Sequence, residues 1–138
     1  MYHTWTRRRL AESAPRWAPL APEYPFIFGI SFFGDLFLCS PDEARFAIVM
    51  TERPEVIEVK HKSTDAFVGE LLTDEGVQKA VLRADECATL TERLGVPTPD
   101  ECFYPVPYRA LGGSGALNTF ERGNVWIYLD VYAQTIGL

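Results

Sequence analysis

Histidine and cysteine, on which many metal sites and nucleophilic centres depend, are scarce in this chain. Its 138 residues include two histidines, His3 and His61, and three cysteines without a C-x-x-C spacing. A histidine-based metal site therefore lacks ligands, and an odd number of cysteines argues against a zinc site or a disulfide framework. The pattern favours a reducing compartment, in which Cys39, Cys87 and Cys102 are expected to be small buried apolar residues.

Long apolar runs and catalytic motifs are missing as well. No stretch of 18 apolar residues predicts a membrane span, and the N-terminal arginines are not followed by the apolar region of a signal peptide. The run Gly112-Gly113-Ser114-Gly115 lacks the lysine of a phosphate-binding loop, and Ser114 has neither a nucleophile elbow nor a histidine partner. The sequence thus predicts no cofactor, no metal site and no enzymatic activity.

Negative charge is present in excess but unevenly distributed. The formal net charge is −6, yet residues 1–16 contain four arginines against the single carboxylate of Glu12. The remaining residues contain nine basic and eighteen acidic side chains. Phosphates would repel such a body, so nucleic acid and anionic membranes are disfavoured as partners. A cationic protein partner is favoured, and solubility alone is the alternative explanation.

The first 25 residues are predicted to form a basic, proline-rich arm before a single ordered domain at 26–138. Four prolines between residues 15 and 25 oppose regular structure, although one or two helical turns could precede them. Trp5 and Trp17 indicate that part of this arm packs against the domain or against a partner.

Three apolar or alternating segments predict antiparallel strands, near residues 26–39, 45–51 and 55–61. Gly34 and Asp35 interrupt the first of them and suggest a bulge or bend within a buried strand. Short turns between the three segments are typical of a β-meander. The third strand has one polar face and is expected near a sheet edge.

The middle of the chain is predicted to be helical, in two or three pieces. Ser63 or Thr64 can cap a first helix, and Thr73-Asp74-Glu75 marks a second start. A further helix is expected from Asp85 to Leu94 and ends at Gly95.

The C-terminal third combines prolines, aromatic residues and glycines before a last apolar segment. Strands near 107–111 and 116–120 are candidates to extend the sheet, with Ala110 and Leu111 entering the core. From Asn124 to Gly137 the apolar spacing fits one face of a helix, although a strand alternation is also present. The expected fold class is therefore α+β: an antiparallel sheet that starts as a meander, helices packed on one face, and a C-terminal helix.

Two blocks of the sequence resemble a bacterial protein family. The first is FFGDLFL at 32–38; the second is LGVPTPDECFYPVPYRALGG at 94–113, followed by a segment that ends near Ala133-Gln134 and Gly137. Together they are similar to the C-terminal domain of type VI secretion DNase immunity proteins, long labelled a domain of unknown function. In that family a GAD-like domain commonly precedes this one. The positions that match the family's motifs are interpreted as structural: Gly34, Asp35, Glu101, Leu111, Gly112, Gly113 and Gln134.

The resemblance implies a cytoplasmic immunity protein that binds a basic nuclease toxin and neutralises it by occupancy. Five carboxylates on turns and on the polar strand are the candidate toxin contacts, expected to form one surface: Asp42, Glu43, Glu52, Glu55 and Glu58. Asp74 and Glu75 at the predicted helix start rank below them, and an apolar patch with Trp5 or Trp17 is the alternative contact. A non-catalytic protein-binding adaptor is the main alternative function. A small-molecule-binding or enzymatic domain is a further alternative, which a polar pocket would favour.

Overall fold

The chain begins as a β-meander of five strands. In the computed structural model, which describes residues 1–138, five strands lie side by side in chain order and each pairs antiparallel with the next. They are β1 (Tyr2–Arg9), β2 (Phe26–Ser31), β3 (Leu36–Cys39), β4 (Phe46–Met50) and β5 (Glu55–Val59). The α+β class and the antiparallel meander at its start are confirmed.

Strand β1 shows that the prediction of regular structure starting near Phe26 is wrong. Its backbone pairs with β2, from Tyr2 opposite Ser31 to Arg9 opposite Phe26. Most of its side chains are exposed because it is an edge strand, so it has little apolar pattern to detect. The guanidinium of Arg7 lies 4.3 Å from the centre of the Phe26 ring.

The segment between β1 and β2 belongs to the core despite its prolines. It contains helix α1 (Leu10–Ser13) and a 3₁₀ turn, Ala18–Leu20. Leu10 and Trp17 are each 1% exposed, and the Trp17 indole donates a hydrogen bond to the carbonyl oxygen of Leu129, at 2.9 Å. Trp17 is therefore unavailable as part of an apolar contact surface for a partner.

Strands β2 and β3 are joined by a tight reversal at Phe32–Asp35, where a bend in one strand was predicted. Gly34 has φ +82°, a conformation that glycine adopts without a steric penalty. The Ser31 hydroxyl oxygen accepts hydrogen bonds from the amides of Phe33 and Asp35, at 3.2 and 3.1 Å. These local bonds close a turn, so the apolar run forms a hairpin.

Three helical segments follow β5: the first two cover one face of the sheet, and the third packs against the β2–β3 turn and against Phe103 and Phe120. They are α2 (Thr64–Ala66), which continues into a π-helical turn at Phe67–Leu71, then α3 (Glu75–Ala80) and α4 (Ala84–Leu94). The predicted capping residues are confirmed: Ser63 accepts from the Ala66 amide, Asp74 accepts from the Val77 amide, and Gly95 ends α4 with φ +84°. Phe67, Leu72 and Leu82 from these segments pack against Phe28, Phe37 and Phe46 of the sheet.

The C-terminal third covers the opposite face of the sheet. Strands β6 (Glu101–Pro105) and β7 (Phe120–Asn124) pair only with each other, and helix α5 (Val125–Thr135) follows. The helical interpretation of this segment is confirmed: Asn124 caps α5, and Val125, Leu129 and Tyr132 face the core.

The prediction of strands near 107–111 and 116–120 is wrong. Residues Arg109–Leu111 and Leu117–Thr119 form short 3₁₀ turns, and the strands lie just outside them. Pro105 and Pro107 lack the amide donors that a central strand needs, so the β6–β7 hairpin cannot extend the five-stranded sheet at these residues. Leu111 is 64% exposed, so the expected entry of this residue into the core is also wrong. The amide of Phe103 donates to the Phe32 carbonyl oxygen, which attaches the small hairpin to the β2–β3 turn.

Candidate functional site

The five carboxylates predicted as toxin contacts lie at both ends of the sheet. Asp42 and Glu43 occupy the turn between β3 and β4, whereas Glu52 and Glu55 lie at the turn between β4 and β5. The length of β4, five residues at about 3.3 Å each, separates these turns. The expectation of one continuous surface is therefore wrong, while contact of each residue with a partner stays a prediction.

Several of these carboxylates are already engaged within the protein. Asp42 accepts hydrogen bonds from the Ser40 hydroxyl at 2.6 Å and the Ala44 amide at 3.2 Å, which hold its pKa below the usual value. Glu52 forms an ion pair with Arg109 at 2.8 Å. Glu58 accepts a hydrogen bond from the Tyr24 hydroxyl at 2.8 Å; burial and this bond raise the pKa of Tyr24 to about 12.

Half of the remaining carboxylates lie on the helical segments, residues 63–94, here named the acidic helical layer. This layer contains seven carboxylates and three cationic side chains: Asp65, Glu70, Asp74, Glu75, Asp85, Glu86 and Glu92, with Lys79, Arg83 and Arg93. The Arg83 side chain is only 18% exposed, and its guanidinium lies 4.1 Å from the centre of the Phe33 ring. Lys79 and Arg93 are exposed, and Arg93 donates hydrogen bonds to the carbonyl oxygens of Leu117 and Phe120.

A second feature is a cavity of ≈ 50 Å³ where the sheet, the small hairpin and α5 meet. Its aromatic wall includes Phe33, Phe103, Phe120, Tyr108, Tyr128 and Tyr132, and its charged groups are Asp35, Glu52, Arg83 and Arg109. Tyr132 stacks on Tyr128 with ring centres 5.6 Å apart, and Tyr108 packs edge-on against both rings. The cavity therefore combines aromatic faces with charges of both signs.

Asp35 is the buried carboxylate of this cavity. Its Oδ1 atom accepts hydrogen bonds from the Thr51 amide at 2.9 Å and the Thr51 hydroxyl at 3.3 Å. Oδ2 has one contact, with the Ser31 hydroxyl at 3.5 Å. Burial raises the pKa of Asp35 to about 6, and the Thr51 hydrogen bonds and the charge of Arg83 oppose this rise.

The ion-paired side chains of Glu52 and Arg109 lie between the cavity and the surface beside it, because both residues line both spaces. Both residues also line an open groove of ≈ 660 Å³, together with Arg53, Pro54, Glu55 and Ala110. The carbonyl oxygen of Glu52 accepts a hydrogen bond from the Tyr132 hydroxyl at 2.6 Å, which fixes the β4–β5 turn against α5. Movement of the Arg109 side chain, which is 48% exposed, would join the groove and the cavity.

The positions that match the family's motifs have the following surroundings, and their structural role stays a prediction. Gly112 has φ +89°, and a side chain on Gly113 would lie 2.0 Å from the Pro107 carbonyl oxygen. Glu101 accepts a hydrogen bond from the Thr98 amide at 3.0 Å, which lowers the pKa of its carboxyl group. Gln134 is exposed and donates to Asp130 at 3.0 Å.

Sequence reasoning missed Arg83, Arg109 and Tyr128 as parts of a site. Arg83 has φ +53°, which is uncommon for a side chain of its size, but the sequence gives no sign of this conformation. The four charged cavity residues are spread over 74 positions of the sequence, from Asp35 to Arg109, so no spacing rule connects them. Only the Asp35 motif was available as a signal.

Comparisons with known proteins add a fold relationship. No family model matches the chain, and no curated protein matches it. The crystal structure of Atu4351 from Agrobacterium tumefaciens is similar, with a TM-score of 0.66 at 12% sequence identity. The match covers 96% of this chain and 66% of that chain, so this chain spans slightly less than two thirds of the length of that protein. At this identity the likeness shows the α+β fold alone.

Two further searches of the structure were negative. No group of three or more histidine, cysteine, aspartate and glutamate side chains is arranged to hold a metal ion. None of the helices has the length and apolar character needed to cross a bilayer.

Proposed function

We propose that this protein is an immunity protein that binds a cognate nuclease toxin and blocks its nucleic-acid-binding surface. The proposal rests on the resemblance of the FFGDLFL and LGVPTPDECFYPVPYRALGG blocks to type VI secretion DNase immunity proteins. A nuclease carries positive charge where it meets phosphates, so a complementary inhibitor presents carboxylates there. Inhibition is by occupancy, in the cytoplasm of the cell that the immunity protein protects.

The acidic helical layer is the observation that carries the mode of binding. Six of its seven carboxylates are exposed, and of its three cations Arg83 is turned inward and paired with Glu86, which leaves Lys79 and Arg93 exposed. By contrast, the strand and turn carboxylates are split between two ends of the sheet, and Glu52 is neutralised by Arg109. We therefore move the proposed contact from those residues to the helical layer.

The proposal is tested first by whether a gene next to this one encodes a nuclease, and then by the association kinetics of the two purified proteins. The test variant is Asp65→Lys, Glu70→Lys and Glu75→Lys, which leaves the helix cap Asp74 intact. The matched control is Glu12→Lys, Glu23→Lys and Glu121→Lys, which changes net charge equally at exposed residues outside the layer and outside the groove. At low salt we expect the test variant to associate about tenfold or more slowly than the parent, with a smaller change for the control.

The ionic-strength dependence separates this mode from apolar binding. Parent association should slow steeply as salt screens the layer, because exposed charges are screened within about 8–10 Å at physiological ionic strength. Equal rates for parent, test and control variants at every salt concentration would contradict binding through the layer. A nuclease that stays fully active in excess of this protein would contradict the immunity function itself.

A further inference from the structure

The cavity beneath the Glu52–Arg109 ion pair contains a carboxylate that no cation neutralises directly. Arg83 pairs with Glu86 and lies 3.9 Å from Glu52, while Arg109 pairs with Glu52. Asp35 is 4% exposed and makes no ion pair, and its Oδ2 atom has only the long contact with Ser31. An ionised carboxylate in such a site keeps unused capacity to accept hydrogen bonds.

Tyr128 supplies a second polar group with unused capacity. Its side chain is 7% exposed, it lines the same cavity, and its hydroxyl group makes no hydrogen bond to another protein group. The fully buried side-chain atoms without a partner do not include this hydroxyl, so it is open to the cavity, where a ligand with hydrogen-bond donors can reach both it and the unpaired carboxylate. The rings of Tyr108 and Tyr132 pack against Tyr128 and fix the position of its hydroxyl group in the cavity wall.

We propose that the cavity is an anchor site for a primary ammonium group, carried by a lysine side chain of the bound protein partner. The ammonium lies between Asp35 and Tyr128 after the lysine stem passes beside Arg109. That the carrier is the partner rests on the proposed function, because a nuclease surface that binds phosphates is rich in cationic side chains.

The size of the cavity favours this ligand over the alternatives. Its ≈ 50 Å³ exceeds the ~30 Å³ that one water molecule occupies in the liquid, but it is far below the ~300 Å³ at which small-molecule pockets begin. An ammonium is compact and has three donors, whereas a guanidinium is a broad plane with five. A complete metabolite therefore does not fit, and a lysine terminus does.

The approach to the cavity also has a charge rationale. The open groove outside is lined by Glu52 and Glu55 together with Arg53 and Arg109, so two carboxylates and two cations balance along the path of the incoming ammonium. Arg109 is half exposed and can turn to solvent without leaving a buried charge unpaired. Glu52 then retains Arg83 and gains the lysine stem as a neighbour.

Binding of n-butylamine to the free protein tests the site without the toxin. Amide chemical shifts of Gly34, Asp35 and Thr51 should change on titration to tens of millimolar, and n-butanol, which lacks the charge, should not change them. Asp35→Asn should weaken n-butylamine binding about tenfold, because it removes a charge-assisted hydrogen bond. Tyr128→Phe should weaken it severalfold, and the matched control Tyr104→Phe, outside the cavity, should leave it unchanged.

The same variants then test the carrier of the ammonium. With the neighbouring nuclease, Tyr128→Phe should raise the concentration needed for neutralisation, whereas Tyr104→Phe should not. Shifts that are identical for n-butylamine and n-butanol, or unchanged by Asp35→Asn, would overturn the ammonium site. Full neutralisation by Tyr128→Phe and Asp35→Asn would overturn the lysine anchor while leaving the immunity function in place. Charge-specific binding of n-butylamine without any effect on the nuclease would support the site and count against the immunity function.

Discussion

Replacement of Asp35 by asparagine tests the energetics of the cavity most directly. The pKa of Asp35 rises from 3.8 to about 6, chiefly because burial penalises the charged form. Between these values the folded state holds the proton more tightly than the unfolded state, so the free energy of unfolding falls as pH increases. Across the whole interval the loss amounts to about 3 kcal/mol. This loss of stability from the ionisation of Asp35 is absent below pH 3.8 and complete above pH 6.

Asparagine keeps an oxygen that can accept both hydrogen bonds from Thr51, but it carries no charge. The variant therefore escapes the ionisation penalty and loses only the extra strength of a charged acceptor, about 1 kcal/mol. We expect Asp35→Asn to raise the free energy of unfolding by about 1–2 kcal/mol near neutral pH. Near pH 4 this advantage should disappear, because Asp35 itself is then protonated in the folded state.

Urea unfolding of the parent and of Asp35→Asn near pH 7.5 and near pH 4 measures the free energy of unfolding at each pH. The control is Asp65→Asn, at an exposed residue, which should not be more stable than the parent at either pH. Equal m-values would show that the variant changes stability and not the compactness of either state. A variant that is destabilised to the same extent at both pH values would refute the reasoning. In that case the Asp35 carboxylate would stabilise the fold as a hydrogen-bond acceptor, and its ionisation would cause no destabilisation that a bound ligand could offset.

Three other perturbations follow from the packing. Gly112→Val should lower the free energy of unfolding by roughly 1–3 kcal/mol because Gly112 has a positive φ. Gly113→Val should lower it by at least as much, because the valine side chain would meet the Pro107 carbonyl oxygen. Thermal melting that is unchanged in both variants would contradict the argument for this turn. Trp17→Ala should cost about 3–5 kcal/mol in chemical denaturation, and a loss below about 1 kcal/mol would mean that the segment before β2 is not core. Burial raises the pKa of the Cys102 thiol, so a thiol reagent should label Cys102 only as fast as the protein unfolds; rapid labelling of the native protein at this site would contradict its burial.

Local chemistry explains which parts of the fold were predictable. Ser63, Asp74 and Asn124 cap helices by bonds within three residues, and Gly95 ends α4 through its own backbone conformation. Signals of this kind are complete within a short stretch of sequence, so the helices were found close to their observed bounds. The apolar segments of β2, β3 and β4 were located in the same way, but β2 and β3 were predicted as one bent strand and form a hairpin.

Elements that depend on distant partners were not predictable. Strand β1 is fixed by backbone pairing with β2 across the proline-rich segment, and its exposed side chains hide that pairing. The β6–β7 hairpin joins residues about 20 positions apart, where short turns suggested different strands. Backbone hydrogen bonds leave no trace in side-chain pattern when the strand lies at an edge.

The candidate site likewise combines one residue that the sequence indicated with others that depend on distant contacts. The sequence singled out Asp35 through its motif, and the structure places this residue in the cavity. Arg83, Arg109 and Tyr128 reach the cavity from three separate elements, and their convergence is a property of tertiary packing alone. The separation of Glu52 from Asp42 at opposite ends of β4 likewise became apparent only with the strand register.

Helix α5, which covers the core around Trp17, has a consequence for the order in which the chain folds during synthesis. It is synthesised after the other elements, yet it supplies Val125, Leu129 and Tyr132 to a core that β1 to β4 began to form more than 70 residues earlier. The meander can pair locally while the chain grows, but one of its faces stays in contact with water until α5 has been synthesised. A chain that stops at Asn124 should therefore bind a dye specific for exposed apolar surface and unfold without a cooperative transition.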